Sequence, residues 1–261
     1  MDTVIVPVDF SETSLHAAGY AAKLLTGHYG VHMILYHFYE KGEDGEFLAD
    51  QLKNLQEELF ADNPVKISTL CEEGSDFIAE LTKLARHREA DLIIMGITGR
   101  SSLQQTLIGS NTLKMVEKKV CPVLIIPHNA AYHEIKNVML ASDFKDVFNS
   151  TPSVPIKKLL KLFQPNLYIV NVNSEHYIAI TESYNAEKVK LNEMFAEFNP
   201  EFYFLSLYNV EDAINLFTSD KNINLIINIQ KDHSVLHRLY KSSHTKQLAY
   251  HSPVPVLAVH E

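Results

Sequence analysis

The chain repeats itself. Writing DLIIMGITGRSSLQQTLIGSNTLKMVEKKVCPVLII, which starts at Asp91, above NLIINIQKDHSVLHRLYKSSHTKQLAYHSPVPVLAV, which starts at Asn224, gives an alignment without a gap to Ile126 and Val259. Leu92, Ile93 and Ile94 meet Leu225, Ile226 and Ile227, and Pro122, Val123 and Leu124 meet Pro255, Val256 and Leu257. The fronts of the copies agree too, VIVPVDF at 4–10 lying over VMLASDF at 138–144. Such self-similarity means one fold written twice, and 261 residues give each copy enough length to bury its own core.

Within each copy, short β-rich runs alternate with longer amphipathic stretches. That is the pattern of crossover units and a parallel sheet, so the chain is predicted to be α/β, with five strands and flanking helices per copy. In the first copy strands are predicted near 3–8, 31–38, 65–71, 91–95 and 122–126, with helices near 12–27, 46–60, 76–88 and 110–119. The second copy repeats this with strands near 137–141, 166–172, 201–208, 224–228 and 255–259, and helices near 153–163, 181–197, 210–218 and 242–251. Ser11 is placed to cap the first helix and Ser75 the third, where Asp76 and Glu80 favour the positive end of the helix dipole. Domains are predicted over 1–131 and 135–261. The connection PHNAAYHEIKN, 127–137, has neither low complexity nor a glycine-serine tract, which predicts docked halves.

A net charge of −9 with scattered lysines and arginines opposes a nucleic-acid groove. No apolar run approaches the roughly 18 residues a membrane helix needs, and the start MDTVIVPVDF lacks the basic and apolar regions of a signal peptide. Two cysteines, Cys71 and Cys121, fit buried thiols in a reducing compartment, so a cytoplasmic protein is expected.

Chemistry concentrates behind the apolar run DLIIM. Gly96, Gly99 and Gly109, closed by Ser110, follow it with the spacing G-x2-G-x9-G-S. A chain that leaves a buried strand and turns at glycines can fold its N–H groups around a phosphate. Gly96 and Gly99 are expected to permit positive φ and close approach of a ligand, and Gly109 and Ser110 to stand where a helix begins, at its positive end. Ser110 can cap that helix or donate to a phosphate oxygen. The same glycines also suit ordinary turns.

This spacing, with VIVPVDFSETS at the front and CPVLIIP at the end of the first copy, resembles the ATP-binding branch of the universal stress protein family over residues 3–127. The resemblance implies two tandem Rossmann-like domains of the adenine nucleotide alpha hydrolase kind, with ligand beyond the carboxyl ends of the strands. Carried onto this chain, Asp9 accepts hydrogen bonds from the adenosine part of ATP, Pro7, Val8 and Met95 shape the wall, and Gly96 and Gly99 let the loop wrap. Gly109, Ser110 and Asn111 supply donors to the phosphates, with or without Mg2+. Two positions depart from the family. His37-Phe38 stands where a small aliphatic residue is usual, and Phe38 can either stack on the base or narrow the pocket. Asn111 replaces an aliphatic residue. Arg100, the loop's one cation, offsets phosphate charge or is simply solvated.

In the second copy Gly96, Gly99, Gly109 and Ser110 become Ile229, Asp232, Ser242 and Ser243. A branched side chain and a carboxylate then occupy the cradle, which predicts one nucleotide per chain and a degenerate second domain. That copy carries His233, His237, His244 and His251; the i,i+4 pair His233 and His237 is a metal candidate beside the simpler reading of surface histidines.

Three functions compete: an ATP-binding regulatory module of the stress-response type, an enzyme using ATP, and a scaffold that binds nothing. No GxxxxGK[ST], GxGxxG, HxGH or SGGxDS motif is present, and no base stands visibly beside a nucleophile. The resemblance permits at most slow hydrolysis or self-phosphorylation on Ser101, Ser102 or Ser110. VCPVLIIP and PVPVLAVH are apolar late strands that need a cover, and by the family's logic they pair the two halves as an internal pseudo-dimer, with a homodimer of chains as a further level.

Overall fold

A computed structural model describes residues 1–97, 110–173, 182–206, 210–230 and 252–261. The chain divides into two compact units, Met1–Tyr132 and His133–Glu261. In the first, β1 (Thr3–Pro7), β2 (His32–Glu40), β3 (Lys66–Gly74), β4 (Leu92–Ile97) and β5 (Val123–Pro127) lie in the order β3-β2-β1-β4-β5, and their pairings are parallel. Four helices connect them: α1 (Glu12–Leu25), α2 (Gly45–Asp62), α3 (Phe77–His87) and α4 (Ser110–Glu117). In the second, β6 (Asn137–Ala141), β7 (Asn166–Asn173), β8 (Glu201–Ser206), β9 (Leu225–Gln230) and β10 (Val256–His260) take the corresponding order β10-β9-β6-β7-β8, again parallel. Among the described residues its α-helices are α5 (Val147–Ser150), α6 (Ser153–Phe163), α7 (Glu182–Met194) and α8 (Val210–Asp220). The predicted helix at 242–251 lies outside the described residues.

The central strands are apolar on both faces because helices cover both. Val4, Ile5 and Val6 of β1 and Ile93 and Ile94 of β4 are fully buried, as are Ala17, Ala18, Ala21, Ala22 and Leu25 of α1. Those alanines recur at three- and four-residue spacing and let the helix lie close to the sheet. The second core is built from Met139, Ala141, Val170, Ile226 and Val256 of the strands against Ile214 and Phe217 of α8.

The repeat extends to single hydrogen bonds. Asp91 N–H donates to the Thr3 carbonyl at 2.9 Å and Asn224 N–H to that of Asn137 at 2.8 Å. The Asp91 carboxylate accepts from the N–H of Asp2 and Thr3, and the Asn224 amide oxygen from Lys136 and Asn137. Each clamp fastens the entry of one strand to the start of the fourth strand of its unit.

The local prediction is corrected at one helix cap, and one short helix is added. β3 runs through Gly74, and α3 is capped by Asp76, whose Oδ1 accepts from Ile78 N–H at 2.9 Å and Ala79 N–H at 3.1 Å, in place of Ser75. In the second unit a four-residue helix, α5, precedes α6, whereas α1 is continuous over 14 residues. Both cysteines are free, and desolvation, with Asp91 nearby, pushes the Cys121 thiol up to about 12.

Candidate functional site

The carboxyl ends of β1, β2 and β4 meet at the centre of the first sheet. Register pairs Ile5 with Ile93 and Pro7 with Tyr36, so continuing it sets Pro7 level with Met95 and Val8 level with His37. Pro7, Val8 and Met95 are all buried, and Asp9 is exposed just beyond them.

Asp9 is held by the start of α1. Its Oδ1 accepts from the Ser11 hydroxyl at 2.6 Å and the Ser11 N–H at 3.0 Å, while its own N–H donates to the Ser14 hydroxyl at 3.2 Å. Desolvation is the largest influence on the carboxyl and pushes its pKa up. The hydrogen bonds from Ser11 and Ser14 together outweigh it and hold the pKa below the usual carboxylate range. Asp9 is therefore an ionised acceptor at neutral pH, suited to ligand hydroxyls. Ser11 is engaged as the α1 cap, its oxygen accepting from Ser14 N–H at 3.2 Å, and it is accordingly a structural hydroxyl.

On the other side of the crevice, α4 begins at Ser110, of which only the backbone is described, and Asn111 is exposed in its first turn. Thr112, buried in that turn, donates its hydroxyl to the Gly96 carbonyl at 2.8 Å. This bond holds the start of α4 against the end of β4, so first-turn N–H groups and the helix dipole face the strand ends. Gly99, Arg100 and Gly109 lie outside the described residues, as do Ser101, Ser102, His233 and His237. Among the described residues no group of three or more His, Cys, Asp or Glu side chains is placed to hold a metal.

Gly96 is needed for a different local reason than expected. Its φ is not in the left-handed region, and a Cβ there would lie 2.6 Å from both the carbonyl oxygen and Cγ2 of Thr13. The missing side chain makes room for α1, which in turn carries Ser14 to Asp9.

At the end of β2 the aromatic ring has partners within the unit. Phe38 packs edge-on against Phe77, ring centroids 5.9 Å apart, and lies over Gly74, where a Cβ would meet its ring at 2.6 Å. Its neighbour in β2, His37, is buried, with Nδ1 2.7 Å from the Val8 carbonyl oxygen and its ring 4.9 Å from that of Phe10. A carbonyl only accepts, so Nδ1 carries the proton. Sequence reasoning noted His37 only as a departure from the family and passed over Phe10 and Thr112. The repeat held one clue: Asn171, aligned with His37, donates to the Ser142 carbonyl at 2.9 Å across the same 29-residue separation.

The corresponding corner of the second unit is filled. Phe144, following Asp143 with φ 54°, stacks on Tyr184 at 4.8 Å and touches Phe204 at 5.5 Å. Lys188 lies over the Phe202 ring at 5.2 Å. Burial, and secondarily Asp143, pushes the Tyr184 phenol far above its ordinary range. At the position of Gly96 stands Ile229, buried in β9.

Comparison with known proteins bears on the family and the fold. Residues 1–127 match the universal stress protein family. A universal stress protein of Methanocaldococcus jannaschii is 28% identical over 137 residues, 47% of this chain and 80% of that protein. Among solved structures, a universal stress protein from Archaeoglobus fulgidus superposes with a TM-score of 0.69 at 19% identity, covering 99% of this chain and 98% of that one. A functionally unknown Pseudomonas aeruginosa protein gives 0.64 at 13% identity, covering 100% and 92%. The last two share the tandem fold.

Proposed function

Residues 1–127 being a universal stress protein domain, we propose that the first unit is a regulatory module of the stress-response type that binds one ATP at the carboxyl ends of β1, β2 and β4. The observation carrying this is the Thr112–Gly96 hydrogen bond, which aims the start of α4 at the crevice beside the ionised Asp9. In this proposal Pro7, Val8 and Met95 form the wall against adenosine and Asp9 accepts from its hydroxyls. Backbone donors of Gly96, Gly99, Gly109, Ser110 and Asn111, with Arg100 beside them, meet the phosphates. Phe38, its ring engaged by Phe77, offers the edge of β2 to the base.

The second unit takes no ATP in this manner, because Ile229 replaces Gly96 and Phe144 and Tyr184 fill the corner beside Asp143. Its role is that of a structural partner, with VCPVLIIP and PVPVLAVH as the segments through which copies of the repeat pair, within a chain or between two chains in a homodimer. Among the described residues no helix is long and apolar enough to cross a membrane, and we place the protein in the cytoplasm.

The test is a thermal melt with and without ATP, repeated with Mg2+ and with EDTA. At 100-fold excess over Kd the ligand adds about 2.7 kcal/mol. Gly109→Val is expected to abolish the shift while leaving the fold, and an unchanged shift in that variant rejects the loop assignment. No shift in the parent protein favours the scaffold.

A further inference from the structure

The repeat keeps the sheet and gives its outer helices opposite charge. In α2 the half-buried Leu48, Leu55 and Leu59 flank the buried Leu52, and Gln56 Nε2 donates to the Ile67 carbonyl at 2.8 Å, so this side of the helix meets β3. The opposite side is exposed and acidic. Glu46, Asp50 and Glu57 recur there at helical spacing, with Glu58 and Asp62 beside them and Lys53 as the helix's one cation. Phe47 and Phe60, near its two ends, are each 58% exposed.

In α6 the sign is reversed. Ile156, Leu159 and Leu160 are buried, and Val154, Lys157, Lys158 and Lys161 form the opposite stripe of a helix that contains no acidic residue. Glu197 meets Lys157 at 3.7 Å and Lys161 at 3.2 Å, so two ammonium groups share one carboxylate. Val154 is 76% exposed, and Phe148 of α5, just ahead, is 75% exposed. Phe47, Phe60 and Phe148, the exposed phenylalanines among the described residues, thus all lie on or beside these two helices. The corresponding helices of the other copy differ. Beside His16, α1 carries only Glu12 and Lys23, and α7 mixes both signs, Lys190 pairing with Glu187 at 2.6 Å.

Isolated exposed charges are solvated, and a single pair of them adds little. Stripes of opposite sign bordered by exposed aromatic rings have instead the make-up of an interface, where aromatics anchor and charges set register. At 1.5 Å per residue Glu46 to Glu57 spans about 16 Å and Val154 to Lys161 about 10 Å, so the basic stripe fits along the acidic one. We propose that α2 of one chain docks on α6 of a second copy, the α6 lysines facing the α2 carboxylates and the exposed phenylalanines covered at the margins. This contact is independent of nucleotide binding and of pairing through VCPVLIIP and PVPVLAVH.

The experiment is sedimentation velocity of the full chain over a range of concentrations. A mass above the 29.6 kDa of one chain is expected, falling as salt rises from about 0.1 M to about 1 M and the screening length shrinks from about 10 Å to about 3 Å. Reversing the basic stripe (Lys157→Glu, Lys158→Glu, Lys161→Glu) or the acidic one (Glu46→Lys, Asp50→Lys, Glu57→Lys) is expected to weaken association by at least about tenfold. An equimolar mixture of the two reversed chains is expected to associate again, because each then meets opposite charge in the other. Phe47→Ser with Phe60→Ser, at exposed positions, is expected to weaken association with the melting temperature nearly unchanged. A single chain under all these conditions, association unchanged in the folded reversed chains, or no recovery on mixing them overturns the proposal. Association insensitive to salt and to every variant belongs to the apolar late strands and overturns it equally. If a reversed chain fails to fold, the phenylalanine variant decides, and unchanged association in it rejects the contact.

Discussion

Gly96 separates two reasons for a glycine in a ligand loop. If it served only the ligand, Gly96→Ala would leave the free protein intact and weaken binding. The structure puts an added Cβ 2.6 Å from the Thr13 carbonyl oxygen and 2.6 Å from its Cγ2, where ordinary contact begins near 3.4 Å. The start of α1 must therefore retreat by roughly 0.8 Å, carrying Ser11 and Ser14 away from Asp9. Overpacking of this kind costs about 1–3 kcal/mol, offset by about 0.5–1 kcal/mol because alanine restricts the unfolded chain. A net loss of about 1–2 kcal/mol lowers Tm by about 3–6 °C for a chain of this size. Thr13→Ser in the same chain removes the Cγ2 contact but not the carbonyl contact, so it is expected to recover less than half of the loss. The assay is urea denaturation and thermal melting without ligand. A free Gly96→Ala protein as stable as its parent, with binding alone impaired, refutes the packing argument.

Two further outcomes follow from the same corner. Thr112→Val removes the hydroxyl bonded to the part-buried Gly96 carbonyl, at a cost of about 0.5–1.5 kcal/mol in urea denaturation; Thr112→Ser keeps the bond and most of the stability, and equal loss in both variants would implicate the methyl instead. Asp9 has a depressed folded pKa, so its contribution to stability is present above the ordinary carboxylate pKa of about 3.9 and is lost as pH falls through the folded value. Asp9→Asn should therefore flatten the acid limb of the stability profile between those two values, and an unchanged limb would show that the Ser11 and Ser14 bonds do not select the ionised form.

Much of the architecture was legible because its signals are local and doubled. Alternating apolar runs and amphipathic stretches located the strands, and each copy checked the other. What escaped depends on distant partners. β2 and β3 were expected to end near 38 and 71 but pair through Glu40 and Gly74, since register from Phe38–Glu72 onward satisfies backbone groups after the apolar pattern has stopped. Ser75 and Asp76 are both good caps, and only the path of β3 decides between them. The role of His37 is fixed by a carbonyl 29 residues away. Gly96 was recognised as special, but its neighbour, Thr13, lies on a helix whose approach no spacing reveals.

The two copies separate what the fold requires from what a site requires. The strand-entry clamps of Asp91 and Asn224, and the side chains of His37 and Asn171 that bond the carbonyls of Val8 and Ser142, recur with changed residue types and unchanged roles. Carboxylate gives way to amide and imidazole to amide wherever one acceptor or one donor suffices. Gly96 has no such substitute, because what it supplies is space, and the copy that carries Ile229 in its place also has an interrupted first helix. Close approach of α1 over Gly96 is what brings the Ser11 and Ser14 hydroxyls to Asp9 in the first unit. Asp143 is retained in the second unit without that setting, with the aromatic pair Phe144 and Tyr184 packed beside it. Under the proposed function, an aspartate at the end of the first strand does not by itself mark a nucleotide site; the glycine that admits the helix accompanies it in the first unit only.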